Sequence, residues 1–256
     1  MKLTMNKISV KSAKRKTKQS AGKNALMLGE RQKQLVTLLK EAGADLVGMG
    51  HVGGYLPDSL SDLETAISVA VHLSDRIIDE ITVDKGPTQT YFHHYRTMNT
   101  FLDTIGLKAA LQIQRWGFAA MPVPASQSLM DKDVFFSGRF QHRLAATRAG
   151  LGWIGKNSCL VTDQYGPRIR LVTILTNMPL ISGEPVTQGL CGACRICIDA
   201  CPAGALIGET EWSPVVDREK LIDPSLCSHY MKKAYQHIGR GAVCGICFRI
   251  CPKGMK

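Results

Sequence analysis

Cysteine is absent from the first 158 residues of this 256-residue chain. Cys159 then stands alone, and the other eight lie between Cys191 and Cys251. Also missing is any run of ~18 apolar residues, which excludes an ordinary membrane-spanning helix. The basic N-terminus is not followed by an apolar segment, since residues 26–35 read LMLGERQKQL. Neither a secretory nor a twin-arginine signal is expected, and a cytoplasmic protein with no membrane partner is. Residues 1–24 contain no acid, and their lysines and arginine supply +8 of the net charge of +11. The basic excess is therefore a property of the tail, and a solvated tail is its plain reading. Aromatics make up 6% of the chain, with no basic patch interleaved with them of the kind that binds single strands.

What is present suggests an α+β fold in two parts after a basic, disordered tail over residues 1–28. Leu35, Leu38, Leu39 and Ala42 recur at helical spacing before Gly43. Residues 44–50 and 66–73 read as strands, and Tyr91 to Arg115 as a long helix weakened by Gly106. A strand over 118–123 and a basic helix over 139–149 follow. The apolar runs 159–161 and 168–176, either side of the turn 163–167, predict an antiparallel hairpin. The first domain is thus expected over 29–180, with a linker over 178–185 and a cysteine-rich domain over 186–256.

Cys191-x2-Cys194-x2-Cys197-x3-Cys201-Pro202 has the spacing of a bacterial two-cluster ferredoxin run. Three thiolates on a tight loop cap one cubane. The fourth, before proline, is expected to start a helix that leads to the other cluster. The partner run, Cys244-x2-Cys247-x3-Cys251-Pro252, has Gly241 where a further cysteine would stand, and Cys227 fills the gap. The predicted ligands are Cys191, Cys194, Cys197 and Cys251 for one [4Fe-4S] cluster and Cys201, Cys227, Cys244 and Cys247 for the second. A zinc site prefers two CxxC pairs with longer spacers. Cys159, on a predicted strand, reads as a buried hydrophobe. Two clusters at about −2 each would bring the folded body, about +3 without its tail, close to neutral. Such clusters move single electrons, and the first domain must supply the chemistry.

Residues 148–157 read RAGLGWIGKN. Three glycines at a helix-to-strand junction imply close backbone approach to something, although a helix end alone also favours glycine. No Lys-Ser/Thr pair follows as a P-loop needs. His142 could donate a proton near neutral pH, or be a half-exposed helix residue. Arg139, Arg143, Arg148, Arg168 and Arg170 could attract phosphate or form a solvated face. His93 and His94 point about 100° apart on a helix, so they do not chelate one metal.

RAGLGWIGKN, followed by CLVTDQYGPRIRLVTILTNMPL and the cysteine module, resembles the epoxyqueuosine reductase family and, more distantly, the reductive dehalogenases. YFHHYRTMNTFLDTIG and GFAAMPVPASQ are similar to its short members. The resemblance implies a nitroreductase-like domain that holds cobalamin, followed by a two-[4Fe-4S] ferredoxin-like domain. It implies single-electron delivery from a ferredoxin- or flavodoxin-type donor, through the clusters, to the corrinoid. Reductive deoxygenation of a modified tRNA base would follow. On this resemblance Gly150, Leu151, Gly152, Trp153, Ile154, Gly155 and Lys156 would line the corrinoid. Two departures stand out: Phe136 occupies the place of the family's catalytic Asp, with Asp131 and Asp133 out of register, and the chain ends at Lys256 without the family's helical repeats. An electron-transfer or corrinoid-reducing protein without substrate chemistry of its own is the alternative.

Overall fold

The computed structural model describes residues 26–127, 129, 136–208, 210–239, 241 and 243–255. The expected tail, apart from residues 26–28, lies outside these residues, as do Asp131 and Asp133. Residues 26–28 already belong to the first helix, α1, over 26–41. The remaining elements mix helix and strand. Strands β1 (Leu46–His51), β2 (Thr65–His72), β3 (Ala120–Val123) and β6 (Ile169–Thr176) form one antiparallel sheet in the order β1-β2-β6-β3. Strands β4 (Trp153–Ile154) and β5 (Leu160–Val161) form a separate hairpin. The longer helices are α3 (Gln89–Arg115), α4 (His142–Arg148) and α6 (Pro224–Gly239). Single turns α2 (Asp75–Ile78), α5 (Ile196–Asp199) and α7 (Ile246–Arg249) complete the set. Among the described residues no helix is long and apolar enough to cross a membrane.

The two faces of the sheet differ in side-chain size, and this places the helices. Ile67, Val69 and Val71 of β2, with Val172 and Ile174 of β6, point to one face. There they meet Leu35 and Leu39 of α1 and Leu102, Ile105, Ala109 and Ile113 of α3. Gly106, expected to weaken α3, lets it lie close on β6, because a Cβ there would stand 3.0 Å from Val172 Cγ2. The alternate residues Gly48, Gly50, Ala66 and Ala70 are small, and α4 packs on their face through Ala145 and Ala146. A Cβ on Gly50 would lie 2.5 Å from the Arg148 carbonyl carbon.

Two expectations change. The apolar runs around the turn 163–167 do not pair with each other. β6 already has β2 on one edge and β3 on the other, so Leu160–Val161 pairs with Trp153–Ile154 instead. The basic helix begins at His142, because Gln141 is extended, and Arg139 lies outside it.

The cysteine-rich segment shares its core with the sheet-bearing part. Val243 and Ile246 pack with Leu73, Ile78, Ile81, Tyr91 and Phe92. Trp212 and Leu221 pack with Trp153, Ile154 and Val161. Arg168, 3% exposed, pairs with Asp75 at 2.9 Å and Asp79 at 2.8 Å and reaches the Arg249 carbonyl at 3.4 Å. It is a buried tie between the two parts rather than a free cation for phosphate.

Opposite effects are expected of two glycine-to-alanine changes. Gly29→Ala, in α1 with open space around it, should stabilise by about 0.5–1 kcal/mol. Gly50→Ala should destabilise by about 1–3 kcal/mol through the α4 clash. Thermal melts check both; an unchanged melting temperature for Gly50→Ala would contradict the packing.

Candidate electron-transfer site

The cysteine runs fold as a pseudo-repeat. Cys197 lies in α5 and Cys247 in α7, and these two turns pack together. Cys201 and Cys251 each follow their turn, and the N–H of Gly204 or Gly254 donates to the carbonyl of Cys201 or Cys251 at 3.0 Å. Cys201 therefore ends a helical turn rather than starting a helix, because Pro202 opens a reverse turn. Cys227 sits in the first turn of α6, a helix the sequence did not announce. Asp223 caps that turn by accepting the Leu226 N–H at 2.8 Å.

This fold brings the eight cysteines around two separate spaces. Cys191, Cys194, Cys197 and Cys251 line a small cavity with Lys156, Asn157, Val161 and Pro252. Cys201, Cys227, Cys244 and Cys247 line a second, of about 410 Å³. The electrostatics follow the same division. Burial, then the neighbouring thiols of Cys251, Cys191 and Cys194, pushes Cys197 up to about 12. Burial, then Cys244 and Cys201, pushes Cys227 up to about 11. Thiols crowded in this way hold their protons until a metal displaces them. Among the described residues, no three His, Cys, Asp or Glu side chains converge on a single-ion site. Each set brings four thiols to one space, the donor set that a [4Fe-4S] cubane takes at its corners.

A third cavity, of about 460 Å³, adjoins the second cysteine set. Tyr91, Tyr95, Arg143, Cys159, Arg170 and Phe248 are among the residues that line both. Arg139, Arg143, Arg170 and Arg218 line the third cavity, and no carboxylate does among the described residues. Arg143 is half-buried, donates to the Ser158 carbonyl, and reaches Ser158 Oγ at 2.7 Å. Arg170 lies 4.4 Å from the Tyr95 ring centroid and is held by Asn99 at 2.6 Å. Burial would raise the Tyr95 hydroxyl, but Arg170 and hydrogen bonds with Ser126 and Asn99 outweigh it and hold the hydroxyl below its ordinary range. Sequence reading missed Tyr95. Its signal was the helical spacing that puts it on the Tyr91 side of α3.

The glycine-rich segment does not line this large cavity. Gly152 to Ser158 are buried in protein. A Cβ on Gly150 would sit 2.6 Å from the Glu184 carbonyl oxygen, and one on Gly152 would strike the Val161 carbonyl. The close approach that these glycines permit is to the chain's own backbone. Leu151 packs beside Leu160 and Ile169, Trp153 is in the core at 2% exposure, and Ile154 borders a different recess beside Trp212. Gly155 faces Cys191, and Lys156 donates from Nζ to the Gly192 carbonyl at 2.5 Å. That places a buried ammonium on the first cysteine loop.

His142 borders the large cavity with both ring nitrogens in hydrogen-bonding contact. Nε2 faces the Pro124 carbonyl at 2.9 Å and Nδ1 faces Thr173 Oγ1 at 2.8 Å. A carbonyl only accepts, so Nε2 carries the hydrogen and Nδ1 accepts from the threonine. Burial pushes the ring down to about 4, with Arg170 and Arg143 adding to the effect against the Pro124 carbonyl and Asp103. The neutral ring positions α4 on β6. Phe136, with φ 59°, turns to the cavity rim, and its carbonyl accepts from Arg218 at 2.8 Å.

Comparisons with known proteins agree with this layout. Residues 190–254 match the 4Fe-4S double cluster binding domain, so this part is an iron–sulfur module. The chain is 32% identical to an epoxyqueuosine reductase of Listeria monocytogenes over 123 residues, covering 47% of this chain and 31% of that protein. It is 30% identical to the Gloeobacter violaceus epoxyqueuosine reductase over 179 residues, covering 68% and 52%. The chain thus spans a third to a half of these relatives and is related to them over that stretch. A catabolic reductive dehalogenase solved with 3-bromo-4-hydroxybenzoic acid shares the fold, with a TM-score of 0.69 and 18% identity, over 87% of this chain and 31% of its own. Streptococcus thermophilus epoxyqueuosine reductase does so with a TM-score of 0.57 and 21% identity, over 87% and 66%.

The lowered His142 pKa sets a pH dependence. The unfolded ring binds its proton near pH 6.5 and the folded ring only near 4. Its stabilising contribution is therefore complete above about 6.5 and lost as pH falls toward about 4. The upper limit is about 3 kcal/mol, reduced by the ring's partial exposure. Thermal melts of the wild type and His142→Gln across this window should converge as pH falls. Parallel curves would contradict the assignment.

Proposed function

We propose that this chain is an iron–sulfur oxidoreductase. In this reading two [4Fe-4S] clusters pass single electrons to a cobalamin in the large cavity, for reductive chemistry of the kind its epoxyqueuosine reductase relatives are named for. The observation that carries the reading is the shared wall: the second cysteine set and the 460 Å³ cavity have Tyr91, Tyr95, Cys159 and Phe248 in common. Cys191, Cys194, Cys197 and Cys251 hold the first cluster; Cys201, Cys227, Cys244 and Cys247 hold the second. A low-potential ferredoxin- or flavodoxin-type donor supplies the electrons. Reduced thiols in this number suit a cytoplasmic location.

The group suggested for the cavity comes from the relatives: one solved dehalogenase is described in terms of B12-dependent dehalogenation. Leu73, Val123 and Phe248 offer apolar surface to a macrocycle, and Arg139, Arg143 and Arg170 offer donors to phosphate and amide oxygens. Residues 150–156, which the resemblance would place against a corrinoid, do not line this cavity. When bound, cobalamin would supply a strongly reducing metal for cleaving a carbon–heteroatom bond. The chain's own residues enclose the site, bring positive charge to it and hold a proton at Tyr95 Oη. One epoxyqueuosine reductase is described with a stem loop of tRNA-Tyr, so tRNA is the substrate carrier this reading implies.

Three features of the cavity favour the second reading, electron transfer or corrinoid reduction without substrate chemistry. The described cavity wall has no carboxylate, Phe136 stands at the Asp position and His142 is tied at both nitrogens.

Anaerobic reconstitution with iron, sulfide and hydroxocobalamin separates the two. About eight irons and an equimolar amount of cobalt per chain, with a base-off corrinoid spectrum, are expected. Full iron loading without cobalt would overturn the cobalamin reading and leave the electron-transfer one.

A further inference from the structure

We infer that Lys156 is the charge partner of the first cluster, and that its buried ammonium raises the reduction potential of the [4Fe-4S] centre held by Cys191, Cys194, Cys197 and Cys251. This rests on the reading of those four cysteines as one cluster's ligands.

The placement is built into the turn between β4 and β5. The Ser158 N–H donates to the Gly155 carbonyl at 2.7 Å, and the Gly155 N–H donates to the Cys159 carbonyl at 2.9 Å, which closes the turn tightly. Gly155 lies against the first cysteine: a Cβ there would stand 2.8 Å from Val161 Cγ2 and 3.5 Å from Cys191 Sγ. The next residue, Lys156, runs its side chain along the cysteine loop. It is 9% exposed, and Nζ donates to the Gly192 carbonyl at 2.5 Å. Gly192 stands between Cys191 and Cys194 and takes φ 55°, a left-handed conformation that glycine adopts at no steric cost. Lys156 borders the small cavity together with the four cysteines, Asn157, Val161 and Pro252, and is the one cationic side chain among the described residues that line it. It lines neither the second cysteine cavity nor the large one.

An ammonium has three hydrogens to donate. One serves Gly192, and among the described residues no carboxylate pairs with the others. A buried cation without a counter-charge is costly, and negative charge in the adjoining cavity offsets that cost. A [4Fe-4S] cluster on four thiolates supplies it: the cluster is anionic when oxidised and one unit more negative when reduced. Attraction to Lys156 therefore grows on reduction, and burial keeps out the water that would screen it. The ammonium favours the reduced cluster and raises its potential, and the Gly192 carbonyl fixes the place from which it acts. The residue that poises the first cluster thus comes from the sheet-bearing part of the chain and not from the cysteine runs.

The test is an EPR-monitored redox titration of the full-length reconstituted protein, with iron analysis, for wild type, Lys156→Gln, Lys156→Met and Lys156→Arg. Glutamine removes the charge but keeps a donor for Gly192, methionine removes both, and arginine keeps both. Lys156→Gln and Lys156→Met should keep about eight irons. Each should lower the reduction equilibrium of one cluster about tenfold, which is about 59 mV for one electron, and move the other much less. Lys156→Arg should stay close to wild type. Wild-type potentials in Lys156→Gln would overturn the inference, because the hydrogen bond and not the charge would then be the role of Lys156. An equal shift of both clusters would overturn it, as would a shift in Lys156→Arg as large as in Lys156→Gln. Should Lys156→Met fail to fold, the glutamine and arginine variants decide the matter by themselves. A wild type that never holds two clusters would refute the ligand assignment on which the inference rests.

Discussion

The crossed sharing of cysteines between two short helical turns is the constraint on which the iron–sulfur part depends. Each CxxC loop supplies cysteines to one cavity, and the cysteine after the following helical turn reaches the other. This arrangement requires α5 and α7 to pack against each other, and it places the chain's last turn beside Arg168. There a Cβ on Gly254 would sit 3.0 Å from the Arg168 side chain. The buried Arg168 ion pairs with Asp75 and Asp79 then connect that turn to the sheet. Crowded, protonated thiols are unfavourable neighbours for one another. Metal binding relieves that opposition and adds its own free energy to folding, as in other small metal-dependent modules.

A second consequence concerns charge. Two anionic clusters are costly to bury without compensation. The chain places Lys156 on the first cysteine loop, and Arg143 and Arg170 on the wall of the second cavity. None of these has a carboxylate partner among the described ion pairs. Arginines that read in the sequence as a solvated face are therefore divided by the fold. Arg168 is consumed in structure, Arg148 rests over Tyr55 and reaches the His51 carbonyl, and Arg143 and Arg170 are turned toward the two adjoining cavities.

Much of this was legible in the primary structure where local rules decide. The strands over 44–50, 66–73 and 118–123 and the long helix from Tyr91 follow their hydrophobic period, and the cysteine spacing anticipates the two groupings around two cavities. The misreadings arise where tertiary competition decides. The run 159–161 carried a hairpin signal with 168–176, but both edges of β6 were taken. At the AGLGWIGK glycines the close neighbours are the backbone carbonyls of Glu184 and Val161, which the sequence gives no means of naming. The titration of His142 was invisible for the same reason: Pro124 and Thr173 reach it from other elements.

Iron content of two double variants tests the crossed arrangement most directly. Cys191→Ala/Cys251→Ala removes two cysteines that border the same cavity although they come from different runs. Cys191→Ala/Cys201→Ala removes two from the same run that border different cavities. The account predicts that the first protein keeps one intact cluster, about four irons, and that the second loses both. The reverse pattern, with one cluster surviving only in the same-run variant, would contradict it.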